Sequence, residues 1–244
     1  MNDFTVILIF ILTTCAGAAF TVSYTRRKFP AGCIRNGVVI SGGRNGAGVM
    51  RFACAAAAGG AVFSAVICVL ALTLRPAEAE YPVLTAERTA FFWAVLAASV
   101  TDLLDRRIPN AIVFSAAAVR SVILAVIAIF GANEDLMNGE LFARSGEPLE
   151  CLVSFLIMTA AVTGAFFLSK GGIGAGDVKL ISLTALCFGA SGSLLLLFFA
   201  FLPAAAFGIV MLIAKKSGLK ASLPLAPFIC FGMSVLWILE VTSP

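Results

Sequence analysis

Long apolar runs separated by short polar clusters dominate the chain. They fall near residues 4–24, 52–72, 89–104, 111–130, 151–168, 178–190, 194–214 and 223–239. A helix of roughly 20 apolar residues crosses the hydrocarbon core of a bilayer. The runs therefore predict an all-α, polytopic integral membrane protein of about eight transmembrane helices. They fill residues 1–244 as a single membrane domain, with a short basic loop at about 25–51. The third and sixth runs are short, and both abut polar motifs. The first has Asp3 ahead of it and no A-x-A-like site, so it reads as a retained helix and not a cleaved signal. No internal repeat or low-complexity segment interrupts the pattern.

Composition agrees with a lipid environment. Apolar residues make up 61% and charged residues 12% of 244 positions, and the mean hydropathy is +1.05; soluble domains carry about twice that share of charge. Seven cysteines (Cys15, Cys33, Cys54, Cys68, Cys151, Cys187, Cys230) form no CxxC pair and read as small buried residues. The chain has no histidine, which removes Ser-His and Cys-His nucleophilic sites and any His-containing metal site. Carboxylates and lysines are left to carry chemistry. No cofactor, metal or nucleic-acid partner is expected; the bilayer is.

Threading the runs alternately through a bilayer sorts the charges. Thirteen of the 17 basic residues fall on one side: Arg26, Arg27, Lys28, Arg35, Arg44, Arg51, Arg106, Arg107, Lys170, Lys179, Lys215, Lys216 and Lys220. By the positive-inside rule that side is cytoplasmic, and both termini lie outside. Arg120 falls within the fourth run. Of the 13 acidic residues, all but Asp102, Asp105 and Asp177 land outside. These three sit at the cytoplasmic ends of the third and sixth helices.

Two motifs hold them. In TDLLDRRIPN, residues 101–110, Asp102 occupies the last turn of the third run, where the helix dipole disfavours an anion and partial burial adds a desolvation cost. Asp105, beside Arg106 and Arg107, reads as a solvated loop charge, and the arginines as interface anchors. Pro109 breaks the chain direction, and Asn110 can cap the next helix. In GGIGAGDVKL, residues 171–180, four glycines in six positions, Gly174 and Gly176 among them, let the backbone bend tightly. Asp177 can serve simply as the cap of a short helix beginning at Val178. Lys179 can snorkel to the interface or lend positive potential to a site. The glycines are not a phosphate loop, for the GxxxxGK[ST] pattern is missing.

The pair says more than either motif. Both aspartates approach one membrane face, and two carboxylates a few Å apart cannot both ionise cheaply, so one holds a proton near neutral pH. Such a pair suits peptide hydrolysis: one member takes a proton from attacking water while the other donates a hydrogen bond to the carbonyl oxygen. Which is the base stays open, because a coupled dyad titrates as a unit.

Asp102 seven residues before Pro109-Asn110, together with Gly174-Ala175-Gly176-Asp177 followed by Val-Lys-Leu, resembles the type IV prepilin peptidase family. The late segment at 223–228, LPLAPF, is similar to the proline-containing start of that family's final helix. The resemblance covers roughly residues 89–232. It implies a GxGD-type membrane aspartyl protease that removes the short basic leader from prepilin-like proteins at the cytoplasmic face of the cell membrane, without a metal, using Asp102 and Asp177. Many bacterial relatives carry two CxxC pairs in the first cytoplasmic loop and methylate the new N-terminus. Here that loop has only Cys33, so the chain looks closer to the compact Tad-type or preflagellin peptidases.

The alternative from another class is a small proton- or cation-coupled transporter using the same aspartates, with Arg120 as counter-charge. It requires inverted repeats and acids near mid-bilayer. Snorkelling from a tilted helix is the plainer expectation for Arg120.

Overall fold

A computed structural model of the chain describes residues 3–28, 46–74, 82–130, 148–169, 173–213 and 223–242. These residues form helices and no strands: α1 (Asp3–Lys28), α2 (Gly46–Leu74), α3 (Pro82–Asp105), α4 (Asn110–Phe130), α5 (Pro148–Leu168), α6 (Ala175–Ile213) and α7 (Ala226–Thr242). They group into two compact units. One is Met1–Ile108 with Met233–Pro244, the other Pro109–Gly232.

In the first unit, α1 packs on both α2 and α3. Aromatic rings from three helices fill its centre. Phe63 of α2, Phe92 and Trp93 of α3 and Trp237 of α7 have centroids 5.2 to 6.3 Å apart, in tilted and edge-to-face arrangements, the geometry that the ring quadrupole favours. Towards the C-terminal end of α3, Val100 and Leu104 stand one turn apart and pack on Ala53, Phe52 and Ala56 of α2. Near the other end, Arg88 pairs with Glu240 at 2.9 Å.

The second unit holds α4, α5, α6 and the first turns of α7. Among the described residues, three helices are long and apolar enough to cross a membrane, at Asn110–Ile129, Pro148–Leu168 and Ala175–Ile213, and all three belong to this unit. Their outer faces carry exposed Leu156, Phe167, Leu194, Phe198 and Val210. So continuous an apolar surface would drive aggregation in water, and lipid is the solvent that suits it. The protein is an all-helical membrane protein.

Eight transmembrane helices are not supported. The sixth and seventh runs, expected at 178–190 and 194–214, belong to the single element α6, which is interrupted and not looped. The interruption is Gly189, at φ 66° and ψ −167°, a conformation open essentially to glycine alone. It divides α6 into residues 175–188, about 21 Å long, and 190–213, about 36 Å. Only the second stretch exceeds the ~30 Å hydrocarbon core. The expectation of buried cysteines also fails in part. Cys151 is buried, but Cys15 and Cys54 are exposed on their helices, where lipid accommodates a thiol as readily as a protein core does. Cys33 lies outside the described residues, as do the side chain of Cys68 and most of the basic loop.

Gly189→Ala should cost about 1–3 kcal/mol of stability, since an L side chain is strained at that backbone conformation. Gly208→Ala, with nothing within 4 Å of an added Cβ, should leave stability unchanged or raise it. Thermal unfolding of the two detergent-solubilised variants checks the contrast.

Candidate active site

Asp102 lies three residues from the C-terminus of α3 and is only 6% exposed. The helix ends there because Arg106 adopts a left-handed conformation, φ 51°, and its amide donates to the Asp102 carbonyl at 2.8 Å. This is an αL cap built on a non-glycine residue, at a steric cost of about 1–2 kcal/mol. Arg106 and Arg107 are exposed beyond it, while Asp105 is half-buried. Thr101 returns its hydroxyl to the carbonyl of Ala98 at 2.9 Å.

Pro109 opens α4. Its carbonyl accepts from the amides of Ile112 at 3.1 Å and Val113 at 3.4 Å, and its own missing N–H is no loss at a helix start. Asn110 does not cap the helix as expected. Its Oδ1 accepts a hydrogen bond from Lys179 Nζ of α6 at 2.8 Å. The lysine is exposed at the helix surface, yet it is tied across to the start of α4.

Asp177 is not the cap of a helix beginning at Val178. The helix begins at Ala175, and the carbonyl of Gly174 receives the amides of Asp177 at 3.0 Å and Val178 at 3.2 Å. Gly174 is therefore the cap residue and Asp177 the third helical position, still within the favourable field of the N-terminus. Gly176, half-buried, fills the second position. A Cβ on Gly174 would stand 2.9 Å from Asp177 Oδ2, closer than carbon and oxygen tolerate. The carboxylate thus folds back over the helix start, into space that only glycine leaves free. An apolar groove of about 390 Å³ opens between α4, α5 and α6, lined by Val113, Phe114, Phe155, Phe166, Val178 and Lys179 among others; Asp177 is not part of its lining.

Asn110 and Lys179 are brought together, as are Gly174 and Asp177. Asp102 belongs to the first unit and the others to the second. Among the described residues, no three His, Cys, Asp or Glu side chains gather as they do around a metal ion.

Residues 89–209 match the model of the type IV leader peptidase family. Through that stretch the chain belongs to the type IV leader peptidase family. No curated protein and no solved structure matches it. The matched stretch opens in α3 and closes in α6, so it contains both aspartate motifs. Family membership makes the chain a protease, in keeping with its membrane-crossing helices.

The Asn110–Lys179 link and the contacts of Arg120 were not foreseen. Spacing along one helix cannot announce a partner 69 positions away. The bracketing of the first by IPN and GDVK was a usable signal, because both motifs flank the starts of helices.

Replacing Gly174 by alanine should leave the fold intact and displace the Asp177 carboxylate, lowering leader cleavage by roughly tenfold or more, the scale of a misplaced catalytic group. Gly164→Ala in α5, where an added Cβ meets nothing within 4 Å, should cleave at the wild-type rate. Steady-state cleavage by the two variants makes the comparison.

Proposed function

We propose that the protein is a prepilin leader peptidase: an aspartyl endopeptidase of the cell membrane that cuts the basic N-terminal leader from prepilin-like proteins at the cytoplasmic face. The observation that carries this reading is the match of residues 89–209 to the leader peptidase family, a stretch that holds the D-x6-PN and GxGD motifs together. The basic residues beside the two aspartates in sequence, Arg106, Arg107 and Lys179, support the cytoplasmic assignment. A leader of basic residues would stay in water there, while the apolar helix that follows it stays in lipid.

In this mechanism Asp102 and Asp177 share a proton. The ionised member removes a proton from water, which attacks the carbonyl of the scissile bond. The protonated member hydrogen-bonds to the carbonyl oxygen and offsets the charge of the tetrahedral intermediate. The proton then passes to the leaving amine. Gly174 gives the Asp177 carboxylate its space, Gly176 keeps the first turn narrow, and Pro109, Asn110 and Lys179 set how the motif helices begin. No cofactor takes part.

Arg120, the counter-charge in the transporter reading, donates from Nε to the carbonyl of Leu186 at 3.1 Å, a structural contact that the peptidase reading accommodates without ion transport.

Co-expression with a prepilin-like substrate tests the proposal. Wild type should remove the leader, and Asp102→Asn and Asp177→Asn should each abolish removal; complete cleavage by either variant would refute the assignment. A topology reporter inserted within residues 131–147 should read as non-cytoplasmic.

A further inference from the structure

Arg120 is 2% exposed, within a helix apolar enough to cross a membrane. A guanidinium at such a position is costly and is kept where it meets a specific need. The need is visible at the end of its side chain. In an unbroken helix the Leu186 carbonyl would pair with the amide of Ala190, but Gly189 breaks the helix between them. The last carbonyls of residues 175–188 thereby lose their helical partners, at a point beside the Glu150 carboxylate in the first turn of α5. Arg120 supplies a cationic donor there: Nε to Leu186 O at 3.1 Å, with Nη2 donating to Cys151 Sγ at 3.4 Å. It acts as a C-cap delivered from a neighbouring helix, at the end where the helix dipole favours a cation.

The same segment carries Asp177 in its first turn. Near that end, Lys179 is tied to Asn110; at the other, Leu186 is tied to Arg120. Positions 110 and 120 of α4 thus meet positions 179 and 186 of α6 in the same order, so the two helices run parallel and are pinned at two polar points. A segment of about 21 Å, freed from the rest of α6 by Gly189, takes its axial position from those pins.

We infer that Arg120 is a positioning residue for the reaction: by capping the broken end of residues 175–188 it fixes the depth of that segment against α4, and so places the Asp177 carboxylate. The inference rests on the peptidase reading for its catalytic consequence, though not for its geometry. Displacement of a reacting group by about 1 Å can cost roughly a hundredfold in rate.

The test combines kinetics with a distance readout. Arg120→Leu should lower kcat roughly a hundredfold and leave KM within about threefold, since the substrate surface is untouched. Arg120→Lys, which retains a cationic donor, should recover much of the loss. Independently, Asn110→Cys/Lys179→Cys should form a 110–179 cross-link with a short bifunctional thiol reagent that spans the gap the lysine side chain bridges, identified by mass spectrometry. Adding Arg120→Leu should suppress it, and adding Arg120→Lys should restore it. If Arg120→Leu does not fold, Arg120→Gln, which keeps neutral donors, takes its place in both arms. Wild-type kcat in Arg120→Leu, or a lost kcat with an undiminished cross-link, would overturn the positioning role. A cross-link that depends on Arg120 in a protein whose wild type cleaves no leader would uphold the positioning and refute the peptidase reading.

Discussion

Where this chain folds in lipid, a backbone group released from a helix has no water to turn to and must find its partner in the protein. That constraint accounts for much of the second unit. The starts of α4, α6 and α7 are closed by the carbonyls of Pro109, Gly174 and Leu225, each receiving amides from the first turn. The hydroxyls of Thr159, Ser182, Thr184 and Ser193 bond carbonyls of their own helices, so buried polar side chains cost little. Among the described residues, the break inside a helix at Gly189 draws a charged side chain from another helix to the end it leaves. Polar contacts here answer defects in the helical ladder, while the apolar surface between them is left to lipid.

The same constraint explains which parts of the fold were legible. Every helix could be read from its apolar run, because a crossing segment must be both apolar and helical. The ends of α4 and α5 fell within three residues of expectation, since Asn110 and Pro148 mark polar starts. The join within α6 was misread. The small-residue stretch Gly189-Ala190-Ser191-Gly192 looks like a loop between two helices, but one residue in a glycine-only conformation is sufficient for the break, and the helix resumes at once. Composition identifies a weak point; it does not give the number of residues that leave the helix.

The candidate site was legible to a similar depth. Charge sorting along the sequence isolated Asp102, Asp105 and Asp177; Asp102 is buried at a helix end, whereas Asp105, expected as a solvated loop charge, is the last residue of α3 and half-buried. What could not be read were contacts between helices. Arg120 looked like a counter-charge or a snorkelling residue, since its sequence neighbours are all apolar or small. Its partner, the Leu186 carbonyl, is a backbone group of no special sequence, made available only by a glycine three residues on.

The spacings within the two motifs have a common physical meaning. Asp102 and Arg106 are four apart, which places the aspartate carbonyl where the amide of a left-handed cap residue can bond it. Gly174 and Asp177 are three apart, which places the aspartate amide against the cap carbonyl and its carboxylate back over the glycine. One aspartate is thus held through its carbonyl at the end of a helix, the other through its amide at the beginning of one. In both, where the helix stops or starts contributes to where the side chain lies. The tolerance of these motifs should therefore depend on backbone conformation as well as on size and charge: position 106 must take a left-handed geometry, and at Gly174 even a methyl group meets the carboxylate.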